Sequence, residues 1–247
     1  MQNRYSGDIG DFSKLGLLRA LQVCNIPIGI NWYLVPDETH NSDGCHVSYL
    51  EKDEFRQCDE VLWHELRKVV HNEKRTVHSL QNKSILTAVH YLEVLDFSGK
   101  KRNERDMVRV GWHRQALRQL AQAGIICTDP DNGLIVPSAQ GTSRENKYIL
   151  PEEIQDYYQQ GSSVIYYQHK ARKPDSFYIL QHQALLRNST FGGAFGQVLK
   201  FSTTSQRYYC FVIQPEHYTL IKSALYRMLN GPWSNHFVLY ETGLEVV

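Results

Sequence analysis

Residues 123–134, Ala-Gly-Ile-Ile-Cys-Thr-Asp-Pro-Asp-Asn-Gly-Leu, constrain the fold of this chain more than any other stretch. Ile125 to Cys127 has the length and β-branched content of a buried strand, and it stops abruptly at Asp129-Pro130-Asp131-Asn132-Gly133. Pro130 cannot continue a ladder, and Asn132-Gly133 is a turn signal. Two carboxylates and an amide therefore fall where a strand ends. In open α/β sheets ligands bind beyond the carboxyl ends of the strands. The same residues also make an ordinary capped surface turn, and both readings stand at this point.

The flanking segments supply an α/β pattern. Trp112 to Gln122 carries Trp112, Ala116, Leu117, Leu120 and Ala121 on one side, an amphipathic helix closed by Gly124. Downstream, 136–146 is a polar loop, Pro151-Glu152-Glu153 starts a helix, and Gly161 stops it. Ser163 to Tyr167 is the next strand, ending in Gln168-His169-Lys170. Strand, acidic loop, helix, strand is a βαβ unit with parallel strands, which brings Asp129 and His169 to one sheet edge.

Near the start, Asp8 or Asp11 N-caps a helix with Leu15, Leu18 and Leu21 on one face, and Asp11 and Lys14 share a face. Tyr5 and Gly7 lead into it, an arrangement suited to a ligand carboxylate or phosphate and equally to a capped surface helix with a solvated ion pair. Gly29 to Val35 reads as a strand stopped by Pro36, with Asp37-Glu38 at its end and a loop over Asn41–Gly44. Glu51 to Asn72 is helical in pattern, Thr76 to Leu80 a short strand, and Ile85 to Leu95 fits strand or helix. Gly99 to Arg109 reads as an exposed basic loop. It is the best local candidate for a nucleic-acid backbone contact, through Lys100 to Arg109, or else a solvated linker. The last third runs helix (177–187), flexible glycine loop (191–196), strands (197–201 and 207–213), helix (216–230) and an edge strand (237–240). No linker divides the chain, so one α/β domain is expected over 1–247, its core near 5–215.

Composition narrows the classes. With 27 Lys and Arg against 26 Asp and Glu in 247 residues, the chain has no global basic signature, although a local groove remains open. Five widely spaced cysteines, with no CxxC pair, speak against a disulfide framework and a structural zinc site. No apolar run reaches membrane-spanning length and no leader pattern opens the chain, so a cytoplasmic protein with reduced thiols is expected. Oligomeric state is not legible.

Three motifs together resemble S-adenosylmethionine-dependent methyltransferases. The similarity is nearest to the bacterial large-subunit rRNA adenine methyltransferases and looser to the three-Cys-motif partner proteins. Gly7-Asp8-Ile-Gly-Asp11-Phe-Ser-Lys14 resembles a family motif that precedes the first core strand and helps form the cofactor pocket. Cys127-Thr-Asp129-Pro130-Asp131-Asn132 resembles the end of the fourth strand, where amino-methyltransferases carry Asp-Pro-Pro-Tyr, and Val164-Ile-Tyr-Tyr-Gln-His169 resembles the fifth strand. The likeness covers about residues 5–170. It implies a Rossmann-like, mostly parallel sheet with helices on both faces. It also implies S-adenosylmethionine held by Gly7, Asp8, Asp11, Lys14 and Asp37. An acceptor amine of a nucleic acid or nucleotide would be held by Asp129 and the Pro130 carbonyl, with Asp131, Asn132 and His169 beside it and Lys147 and Tyr167 flanking. This sequence departs from the family at Asp131-Asn132, which replaces Pro-Tyr, and lacks a Gly-rich loop after the Gly29–Val35 strand.

Two other classes compete. Asp37, Asp129 and Asp131, with Asp8 and His169 in reserve, are oxygen-rich ligands suited to magnesium or manganese in a nuclease or phosphohydrolase. A catalytically inactive binding protein would keep the fold with its pocket plugged.

Overall fold

The sheet grows outward from the Ile125–Thr128 strand. A computed structural model describes residues 1–38, 46–71, 75–203 and 205–245, with side chains to residue 240; the expected Asn41–Gly44 loop, Cys45 and Asn72 lie outside them. In chain order the elements are α1 (Ile9–Leu21), β1 (Ile28–Asn31), α2 (Asp53–Arg56), α3 (Glu60–His71), β2 (Val89–Tyr91), α4 (Arg102–Gln119), β3 (Ile125–Thr128) and β4 (Gly133–Leu134). They continue as β5 (Tyr148–Ile149), α5 (Pro151–Gln159), β6 (Ser163–His169), α6 (Asp175–Leu186), β7 (Phe195–Phe201), β8 (Arg207–Ile213), α7 (Pro215–Leu229) and β9 (Phe237–Glu245).

Seven strands form one sheet in the order β2-β1-β3-β6-β8-β7-β9, and β4 and β5 form a separate small pair. The β2, β1, β3 and β6 half is parallel, whereas β8, β7 and β9 extend it by antiparallel pairing. The β3-α5-β6 unit is the parallel crossover expected from the sequence. Strand alternation builds two cores. Ile125 and Cys127 join α1, α3 and α7 on one face, while Ile126 joins α4, α5 and α6 on the other. The architecture is the expected Rossmann-like α/β sheet with helices on both faces. No helix among the described residues is long and apolar enough to cross a membrane, and the four described cysteines are free.

Several local expectations are corrected. The first strand ends at Asn31, not Val35. Asn31 Oδ1 accepts the Tyr33 N–H at 3.0 Å, and Tyr33 turns to φ 45°, which takes the backbone out of the ladder. The expected helix over 51–72 is broken into a 3-10 turn, α2 and α3. Residues 77–81 are a 3-10 helix rather than a strand: Val77 and Leu80, three apart, bury one side. Only Val89–Tyr91 of the 85–95 run is extended.

The largest correction concerns the basic loop. Arg102 to Arg109 is the first half of α4, begun by Glu104 Oε2 accepting the Lys101 N–H. Arg109 is buried and bound to Glu153, with Nε to Oε1 at 2.8 Å and Nη2 to Oε2 at 2.7 Å. Arg105 donates to the carbonyls of Lys100 and Gly141. Two of the basic side chains, Arg105 and Arg109, therefore brace α4 against neighbouring loops, while Lys101 and Arg102 are exposed.

Candidate functional site

The chain turns sharply after β3, and hydrogen bonds hold that turn against β6. Asp129 N–H donates to Asn31 O at 2.9 Å, extending the ladder by one residue before Pro130 ends it. Asn132 N–H donates to Lys147 O, and its own carbonyl accepts from His169 N–H. Gly133 sits at φ 103°, and a Cβ there would lie 2.4 Å from Gln168 Oε1, so the Asn-Gly turn requires glycine. Leu134 N–H is received by that same Gln168 oxygen at 2.9 Å. The acidic turn is thus fixed at the carboxyl end of the parallel strands.

Helix α1 meets it there. Asp8 caps the helix, its Oδ1 accepting from Gly10 N at 2.7 Å and Asp11 N at 3.1 Å. Asp11 Oδ2 accepts the Gly7 N–H at 2.8 Å. Lys14 Nζ then donates to Asp11 Oδ1 and Asp129 Oδ2, both at 2.7 Å, and lies 4.5 Å over the Trp32 ring. All three charged side chains are buried, so of the two readings left open the solvated ion pair is excluded: the pair is internal. Burial pushes both carboxyls up, against the pull of the Lys14 ammonium. Burial would lower Lys14, but the two carboxylates outweigh it and keep the ammonium charged. Two acids share this one ammonium as a direct partner, while the Met1 ammonium and Arg207 act on Asp129 from further away. Asp129 lines the cavity, and its Oδ1 has no protein donor among the described residues.

Asp131 is committed elsewhere. Its Oδ1 lies 2.5 Å from the Met1 ammonium and its Oδ2 accepts from Gln2 Nε2 at 2.9 Å. Burial raises its carboxyl, but the ammonium and Gln2 outweigh that and hold it low. Glu38 pairs with Lys147 and, at 3.6 Å, with Arg4.

These groups surround a cavity of about 410 Å³, within the range of small-molecule sites. All of the candidate residues except Gly7 and Asp37 line it: Asp8, Asp11, Lys14, Asp129, Pro130, Asp131, Asn132, Lys147, Tyr167 and His169. Tyr167 OH and His169 Nδ1 are 3.3 Å apart at the end of β6, and burial pushes the Tyr167 phenol up to about 12. Gly7 stands behind the cavity as a donor to Asp11. Asp37 is exposed beside a different cavity with Lys100 and Arg144, and it accepts the Arg4 N–H at 3.4 Å. Its neighbour Glu38 lines the cavity in the place expected of Asp37. Among the described residues no group of three or more His, Cys, Asp or Glu is arranged to hold a metal ion, and Asp37 does not join Asp129 and Asp131.

Sequence reasoning missed Tyr5, Glu38, His46, Ser205 and Arg207, all of which line the cavity. Arg207 opens β8, and the antiparallel register sets it opposite His169. Only that register reveals it, and no local spacing encodes a pairing across 38 residues.

The fold and the site together define the class: an α/β protein with a ligand-sized cavity at the carboxyl ends of its parallel strands. The chain matches no protein-family model and no curated protein sequence.

Proposed function

We propose that this protein is a methyltransferase-like enzyme that uses S-adenosylmethionine to methylate an amine of a nucleotide or nucleic acid. The observation that carries the reading is the Asp129 carboxylate. It ends β3 beside Pro130, is anchored through Oδ2 to Lys14, and keeps Oδ1 for a ligand in the cavity. The donor set fits the cofactor. Asp11 and Asp129 share the single ammonium of Lys14, and Asp8 adds a further carboxylate at the cavity, a set suited to hydroxyl and ammonium groups. Tyr5 and Tyr167 offer aromatic surface to a base.

When bound, S-adenosylmethionine supplies an electrophilic methyl group. The protein's part is to hold the amine. Asp129 Oδ1 and the Pro130 carbonyl accept its two N–H groups, which draws the nitrogen out of conjugation and aims its lone pair. Fixed acceptors of this kind act through orientation and electrostatics. After transfer the surplus proton has Asp129 Oδ1 as its nearest base, and burial has already raised that carboxyl. Lys14 prevents the side chain from rotating away.

A hydrolase using magnesium or manganese fits less well. A divalent ion on Asp131 would have to displace the Met1 ammonium and Gln2 from its two oxygens, and Asp37 lies at a different cavity.

The test is thermal unfolding of the full chain with S-adenosylmethionine or its demethylated product. At a hundredfold excess over Kd, stabilisation of about 2.7 kcal/mol is expected. Absence of any shift with either compound at millimolar concentration sinks the reading.

A further inference from the structure

Among the described lining residues, Arg207 carries a buried charge with no ion-pair partner. Its side chain is 5 % exposed, yet no carboxylate oxygen lies within 4.0 Å of the guanidinium among the described residues. Nη2 donates to Ser205 Oγ at 2.8 Å, and the buried Nε has no partner at all. The other buried arginine described, Arg109, is not left this way: it is held by both oxygens of Glu153. An unpaired buried charge is costly, and an orphaned buried donor calls for a reason. The guanidinium lies 6.0 Å from the Tyr167 ring centre and against Gly10, where a Cβ would come within 1.9 Å of Nη1. Asp8 is near, but its Oδ1 is occupied by two backbone N–H groups.

The cavity thus has two unlike sides: Asp129, whose Oδ1 has no protein donor among the described residues, and Arg207, which feels the carboxylates of Asp8 and Asp129 only at a distance and is bonded to neither. We propose that Arg207 is an oxyanion-binding residue, whose guanidinium, over Gly10 and beside Ser205 and His169, receives a phosphate or carboxylate of the ligand that fills the cavity. The planar guanidinium is matched to either group, because both present two oxygens to its donors. A ligand with an amine at one end and an oxyanion at the other gives both sides a partner at once. The oxyanion site does not depend on methyl transfer.

The test compares the full-length wild type with Arg207→Gln, which removes the charge while keeping a donor for Ser205. Gly10→Ala keeps the arginine but displaces it. Dissociation constants are measured by calorimetry for inorganic phosphate and for two ligand pairs: adenosine monophosphate against adenosine, and S-adenosylmethionine against its decarboxylated form. In at least one pair the anionic member should bind about 10–100-fold tighter to the wild type. That advantage should vanish in Arg207→Gln and fall in Gly10→Ala, with the partner compound's affinity unchanged. Dependence confined to the first pair assigns a phosphate, and to the second a carboxylate; the phosphate arm stands even if no methyl donor binds. Two results overturn the proposal: no preference in either pair together with no phosphate binding, or a preference that survives both substitutions. Arg207→Gln should also melt no lower than the wild type. If it fails to fold, the Gly10→Ala measurements decide.

Discussion

Lys14 is the residue on which the site depends, because it is the shared cation of two buried carboxylates, Asp11 on its own helix and Asp129 115 residues further along the chain from it. Lys14→Met would leave Asp11 and Asp129 facing each other without compensation. Breaking a buried pair by removing one partner costs about 3–5 kcal/mol. Urea unfolding of Lys14→Met should show a loss of that size at pH 7, with partial recovery at lower pH as one carboxyl takes up a proton. Asp129→Asn is gentler, since it retains a carbonyl for Lys14 and relieves the cluster of one negative charge. It should fold with near-native stability and so isolate the chemical role of the carboxylate from its structural one.

At the scale of elements, Asp175 fastens α6 to the antiparallel half of the sheet. It accepts from Lys200 of β7 at 2.6 Å, Tyr208 of β8 at 2.7 Å and Tyr240 of β9 at 3.0 Å, and Lys170 lies 3.0 Å away. Burial pushes its carboxyl up, but the hydrogen bonds from Lys200, Tyr208, Lys170 and Tyr240 outweigh it and hold the group far below the usual range. This stabilisation is complete above the unfolded value near 3.8 and disappears as pH falls through the depressed folded value. Asp175→Ala should cost about 1–3 kcal/mol at neutral pH and raise amide exchange selectively in β7, β8 and β9. Strand β8 was legible to the residue because Arg207–Ile213 is a run of seven buried side chains bounded by polar turns. The start of α4 was not. Residues 102–108 carry no apolar stripe, and the helix there is held by Glu104 and later by the Arg109–Glu153 pair, whose partner lies 44 residues away. Gly133–Leu134 and Tyr148–Ile149 are likewise too short to show a period. The acidic turn and the Asp8 cap were legible because their chemistry is local. Their union through Lys14, and the presence of Arg207, come from strand pairing that no local pattern records.

At the scale of the whole molecule, the two faces of the sheet carry different kinds of polar burial, and this sets the response to acid. His182 is buried in the α6-side core, its Nε2–H donating to Phe211 O and its Nδ1 accepting from Tyr166 OH. His90 accepts from Trp32 Nε1 at 3.0 Å, and Trp32 in turn lies beneath Lys14. Burial pushes both imidazoles down to about 4. Both are neutral in the fold and protonate near 6.5 when unfolded, so stability is flat above that value and falls as pH drops from 6.5 toward 4. The loss approaches roughly 3 kcal/mol for each histidine, and His182→Gln should remove its share from the pH profile of urea unfolding. The sheet itself gathers Asp129, Pro130, Lys14 and Arg207 around one cavity, and the central claim is that Asp129 there holds an amine for methylation. The most direct measurement is transfer of a labelled methyl group from S-adenosylmethionine to adenine-bearing nucleotides and oligonucleotides, by the wild type and by Asp129→Asn. Transfer is expected from the wild type, with a fall of about 100-fold or more in Asp129→Asn. Equal transfer by both proteins, or none by the wild type on any amine acceptor, would contradict that claim.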